Sequence, residues 1–81
     1  MSEDVSDKVR AVVRRYIIDR GKTVEPDVPL RDLGLKPIDV LQIIMDVEDA
    51  WEGVVYIDDD QAENIQTVAD IERLVSNQLA A

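Results

Sequence analysis

An all-α fold of four helices is what this sequence predicts, and three observations predict it. Three stretches repeat apolar residues at the helical period, a shorter fourth is bounded like a single helical turn, and no second strand-like run exists to pair into a sheet. With 81 residues the chain has room for one domain, 1–81, with a modest core.

The elements follow in order. Val5, Val9, Val12, Val13, Tyr16 and Ile17 fall on one helical face while Lys8, Arg10, Arg14 and Arg15 fall largely off it, which predicts helix one, ending near Gly21. Residues 21–36 contain Pro26 and Pro29 and no sustained period, so they read as a long ordered loop, pinned to the core by Val24, Leu30, Leu33 and Leu35. Pro37 opens helix two, because proline at the first helical position loses no hydrogen bond and its fixed φ suits the helix. Asp39 sits where the helix dipole favours negative charge. The pattern breaks at Gly53. Residues 54–57 are β-prone, but an isolated strand leaves its backbone groups unpaired, so a strand is not expected. A short third helix is expected over residues 59–64. Thr67 followed by Asp70 resembles a capping box, and Val68, Ile71, Leu74, Val75 and Leu79 carry helix four nearly to the end.

Composition removes several function classes. Without cysteine there is no disulfide, no thiolate nucleophile and no soft-metal site; without histidine the usual proton shuttle near neutral pH is gone. No Gly-rich phosphate loop is present, and the acid pairs read as surface, so no catalytic residue is assigned and an enzyme is not expected. Asp58, Asp59, Asp60 and Glu63 lack the alternating spacing and turn glycine of a calcium loop and read as a solvated cluster, so no metal site is assigned. The early residues interleave charge with valine, which predicts neither a signal peptide nor a membrane span and makes the cytoplasm the expected location.

Charge is unevenly placed. Residues 1–36 hold eight bases against seven acids, whereas residues 37–81 hold one base against eleven acids, a net of −10. Such a surface repels nucleic acid and anionic lipid and raises encounter rates with basic protein patches. Helix two concentrates the signal. Val40, Ile43, Ile44, Val47, Ala50 and Trp51 form its core face; Asp39, Gln42, Asp46 and Asp49 lie along one flank, Glu48 and Glu52 along the other, and Ile38, Leu41 and Met45 lie between the flanks. Apolar anchors with a charged rim are what a docking helix needs; the plainer reading is that helix one or the long loop covers the three as ordinary core. Trp51, which continues the core face with no basic groove beside it, reads as a core anchor rather than a stacking platform.

The stretch Arg31-Asp32-Leu33-Gly34-Leu35-Lys36-Pro37-Ile38-Asp39-Val40 resembles the acyl carrier protein signature Asp-Leu-Gly-X-Asp-Ser-Leu-Asp. Met45-Asp46-Val47-Glu48-Asp49-Ala50-Trp51 is similar to the family's methionine, leucine, paired acids and aromatic, and the segment from Ile57 to Val68 to its third helix and the start of its fourth. The resemblance spans nearly the whole chain, with about two extra residues between Trp51 and Ile57. It implies a four-helix up-down bundle with a long first loop and a short third helix, whose second helix docks onto basic patches of acyl-metabolism enzymes, in fatty-acid or polyketide-type pathways; a monomer is expected. Carried over by position, it implies partner contacts at Ile38, Asp39, Leu41, Met45, Glu48, Asp49 and Asp59. Lys36 stands where the motif has aspartate, and Gln42 where many members have glutamate.

The resemblance also implies 4'-phosphopantetheine on a serine at the head of helix two, where this chain has Pro37. Proline has no hydroxyl, so position 37 is the cofactor position without the atom the cofactor needs. The non-tyrosine hydroxyls are Ser2, Ser6, Thr23, Thr67 and Ser76, none at that helix start. A protein-interaction module without the prosthetic arm is therefore expected. The alternatives are a working carrier in which the residue at position 37 has been altered, and an acidic inhibitor that mimics nucleic acid.

Overall fold

The computed structural model describes residues 3–18, 21 and 23–80. Among them the secondary structure is helical: α1 spans Glu3–Arg14, α2 Pro37–Ala50, α3 Asp59–Glu63 and α4 Val68–Ala80, with one 3-10 turn at Leu30–Leu33 and no strand. The expected all-α four-helix bundle, with its long first loop and short third helix, is what the chain adopts. Helix α1 packs against both α2 and α4.

Helix α1 ends earlier than its apolar period suggests. Beyond Arg14 the backbone bonds shorten to the three-residue span, with Arg15 N–H donating to Val12 O, Tyr16 to Val13 O and Ile17 to Arg14 O. This tightening still delivers Ile17 to the core, beside Val5, Val9, Val12 and Val13, while Tyr16 stays half-buried.

The long loop is held as expected, since Val24, Leu30, Leu33 and Leu35 are all buried. Gly34 closes the 3-10 turn at φ 81°, a left-handed conformation that glycine adopts without penalty, and this lets Leu33 and Leu35 both point inward. The loop is also tied to the head of α4: Leu30 N–H donates to Gln66 O at 2.8 Å and Ala69 N–H to Pro26 O at 2.8 Å.

Helix α2 ends one residue away from where its glycine would suggest. Glu52, at φ 50°, and Gly53, at φ 83°, are both left-handed; Glu52 N–H lies on Asp49 O at 3.0 Å, and Gly53 N–H reaches back to Glu48 O at 3.4 Å. This is a Schellman-type stop with glutamate where glycine is usual.

Residues 54–58 form neither helix nor ladder, and side chains supply partners for part of their backbone. Tyr56 N–H donates to Gln78 Oε1 at 2.8 Å, the Gln78 amide donates back to Tyr56 O, and Ile57 N–H donates to Glu48 Oε2 at 3.0 Å. Val55 and Ile57 are buried between. Asp58 then caps α3, accepting from Gln61 N–H at 2.8 Å while Gln61 Oε1 accepts from Asp58 N–H at 3.1 Å. The expected Thr67–Asp70 box opens α4: Asp70 N–H donates to Thr67 Oγ1 at 3.2 Å, and Asp70 Oδ2 accepts from the N–H groups of Thr67 at 3.0 Å and Gln66 at 2.8 Å.

The core holds one group the periodicity did not single out. Glu72 on α4 is 2% exposed, with Oε1 lying 3.7 Å from Arg10 Nε on α1. Neither atom, nor the buried Ser76 Oγ one turn on, has a hydrogen-bond partner among the described residues.

Candidate functional site

The head of α2 is built by two local devices. Lys36 is extended (φ −93°, ψ 163°) and Pro37 takes the first helical position, where its missing N–H has no intrahelical role. Asp39 then turns back, its Oδ2 accepting Lys36 N–H at 2.9 Å. The carboxylate placed by the helix dipole is thus also a cap.

From this start the helix presents apolar residues on two faces. Ile43, Ile44 and Val47 are buried, with Val40, Ala50 and Trp51 partly so. Trp51 packs against the core with Lys8 Nζ 5.1 Å from its ring centroid, as a core anchor sits rather than a free stacking platform. On the outer side Ile38 is 58% exposed, Leu41 52% and Met45 63%. Among the described residues neither helix one nor the long loop covers them, so all three differ from the ordinary core residues they were set against.

The surrounding acids divide by what they already do. Asp49 and Asp59 are exposed. Asp39 and Glu48 are half-buried and engaged inside the molecule, one with Lys36 N–H and the other with Ile57 N–H. Asp46, from the same flank, accepts the Tyr16 hydroxyl and lies 3.9 Å from Arg15, tying α2 to the end of α1. That hydrogen bond to a carboxylate, reinforced by burial, holds the Tyr16 hydroxyl above its ordinary pKa of 10.

Beside the exposed row lies an open groove of about 770 Å³. Its walls are Leu30, Arg31 and Leu35 of the loop, Pro37, Val40, Leu41 and Ile44 of α2, and Asp59, Ala62 and Glu63 of α3. Sequence reasoning missed this groove and the parts of Arg31 and Glu63 in it, because no periodicity relates the loop to α3.

The residues present do not fit a phosphopantetheine arm at this place. Pro37 lines the groove without a hydroxyl, and none of the groove's lining residues carries a hydroxyl or thiol. Thr67 is committed to the α4 cap and Ser76 Oγ is buried; Ser6 is on α1, Thr23 in the loop, and Ser2 lies outside the described residues. No helix among the described residues is long and apolar enough to cross a membrane.

No family model matches the chain. Individual proteins do. The acyl carrier protein of Phenylobacterium zucineum is 33% identical over 79 residues, covering 96% of this chain and 98% of that protein. That of Exiguobacterium sibiricum is 42% identical over 48 residues, 59% of this chain and 58% of that protein. The mitochondrial acyl carrier protein of Dictyostelium discoideum is 34% identical over 68 residues, 84% of this chain and 55% of that protein. The chain thus aligns with just over half the length of two of these relatives and nearly all of the third.

Proposed function

This chain belongs to the acyl carrier protein family, and from that premise we propose that it works as a non-catalytic docking module for enzymes of acyl metabolism, without a covalent arm at position 37. The observation that carries the proposal is the exposed row Ile38, Leu41 and Met45 on α2, beside the exposed acids Asp49 and Asp59. Apolar anchors at helical spacing with a charged rim suit a basic partner surface: the charge accelerates encounter and the anchors hold the complex. Asp39 and Glu48 complete the surface, but part of their carboxylate capacity is already engaged within the molecule. In this reading the protein is a cytoplasmic monomer that serves as scaffold, decoy or regulator.

Pro37 supports the role without an arm, because a phosphodiester to the protein needs an oxygen that proline lacks. The test is intact mass after exposure to coenzyme A and a broad-specificity phosphopantetheinyl transferase. The expected result is an unchanged mass. A gain of about 340 Da would instead establish covalent loading and a working carrier. Docking is tested separately with a basic acyl-metabolism enzyme immobilised on a sensor: Met45→Ala should weaken binding by more than about 1 kcal/mol, and Asp49→Lys should slow association most at low salt. Binding indifferent to both would remove α2 as the docking surface.

A further inference from the structure

The interface between α1 and α4 holds a polar cluster that the docking role leaves unused: Arg10 on α1 with Glu72 and Ser76 on α4, none of them in the groove or in the outer row of α2. Glu72 and Ser76 stand four residues apart and so share one helical face, and Glu72 meets Arg10 across the interface. Three atoms there are buried without a hydrogen-bond partner among the described residues: Arg10 Nε, Glu72 Oε1 and Ser76 Oγ. The ion pair does not satisfy the first two, because 3.7 Å between Nε and Oε1 is too long for a hydrogen bond. Nor does Ser76 bond the carbonyl one turn back, as a helical serine can. Val9, Ile71 and Val75, beside the three on their helices, are fully buried and offer no polar side chain. Buried polar groups are almost always paired, so the cluster lacks a partner that the folded chain itself does not supply.

We infer that the cluster is the seat of a buried structural water that bridges α1 to α4. Two atoms 3.7 Å apart can both lie about 2.9 Å from one oxygen set to the side of the line between them. The bonding capacities match: Arg10 Nε–H donates, Glu72 Oε1 accepts and Ser76 Oγ does either, which is about the three bonds that a buried water makes. Charge rules out an ion in this place, since the guanidinium repels a cation and the carboxylate an anion; a small neutral molecule with both donors and acceptors is what remains. The Arg10 side chain is 36% exposed against 2% for Glu72, so the water exchanges with solvent past Arg10.

Oxygen-17 relaxation dispersion of the solvent counts long-lived internal waters in the full chain, and it is blind to the hydroxyl and guanidinium protons that also exchange with water. The expected result is a loss of about one such water when Arg10→Met and Glu72→Met are combined, because the seat then has a single polar partner left. Ser76→Ala, which keeps the ion pair and removes one of three partners, should shorten the water's residence time. Circular dichroism establishes that both variants are folded. A second measurement needs no variant: a high-resolution crystal structure of the wild type should show an ordered oxygen within about 3.2 Å of Arg10 Nε, Glu72 Oε1 and Ser76 Oγ together. Equal dispersion from the wild type and the folded double variant would overturn the inference. So would a crystal in which Arg10 Nε donates directly to Glu72 with no oxygen between α1 and α4, since the pair would then close by itself. If the double variant does not fold, the wild-type crystal decides alone.

Discussion

Helices α1 and α2 pack against each other yet use their apolar residues differently. In α1 the valines at 5, 9, 12 and 13 are all buried, and every residue with a described side chain that reaches full exposure is charged or alanine. In α2 Ile43, Ile44 and Val47 meet the core, but Ile38, Leu41 and Met45 remain outside it. A helix whose only task is to close a bundle has the first pattern; large apolar side chains left in water on a second face have no part in the folded chain's own packing. The difference separates what α1 does for stability from the docking role proposed for α2.

The contrast is broken most directly by two alanines on α2. Ile43→Ala, at a fully buried position, should cost about 2–5 kcal/mol, whereas Met45→Ala should stay within about 0.5 kcal/mol. Chemical denaturation of both measures the gap, and equal large losses would show that the outer row is packing after all.

Next in size is the charge that α1 does place inward. Arg10→Met removes the cation that lies beside Glu72 among the described residues and should cost about 1–3 kcal/mol, less than a fully buried pair because Arg10 is partly exposed. Adding Glu72→Met should recover most of that loss, which a double-mutant cycle in urea would measure.

A smaller effect is expected at the α4 cap. Burial pushes the Asp70 carboxyl up, but hydrogen bonds from the backbone of Gln66 and Thr67, from Arg73 and from the Thr67 hydroxyl outweigh it and hold its pKa below the ordinary 3.8. The folded form therefore favours the ionised state, so the stabilisation is present above about pH 4 and is lost as pH falls through the lowered folded value. Asp70→Asn should cost about 1 kcal/mol at pH 7, and its difference from the wild type should shrink in melts taken below pH 4. Pro37→Ser should also stay within about 1 kcal/mol, in either direction, since serine is also accepted at a helix start. Loss of the fold there would mean that the head of α2 depends on the proline ring.

The helices were legible because each rests on local periodicity or local capping: the Thr67–Asp70 box and the core face of α2 lie within a turn or two of the residues that define them, and the four loop anchors stood out as apolar residues in a stretch without a period. The end of α1 was not, since a three-residue span can carry Ile17 to the core as well as a four-residue one. Pro37's place at the first turn was readable, and so was the outer row of α2 as a candidate, but its exposure depended on where α1 and the loop came to rest. Glu48 and Asp46 read as rim acids by their angle around the helix. Their actual partners, Ile57 and Tyr16, come from other elements that no spacing within α2 specifies. Glu72 escaped notice for the same reason, its cation being on α1.

The two bonds between the long loop and α4 bear on how the molecule opens. Ala69 N–H is among the first donors of its helix, where no carbonyl of the same helix is available, and it is satisfied by Pro26 O; Leu30 N–H is satisfied by Gln66 O from the opposite direction. Neither bond survives if the loop swings away from the helix head, so the amide protons of Leu30 and Ala69 should exchange with deuterium at a common rate, in one cooperative opening. The groove is walled partly by that same loop, so exchange at this pair of amides reports how readily its wall comes apart.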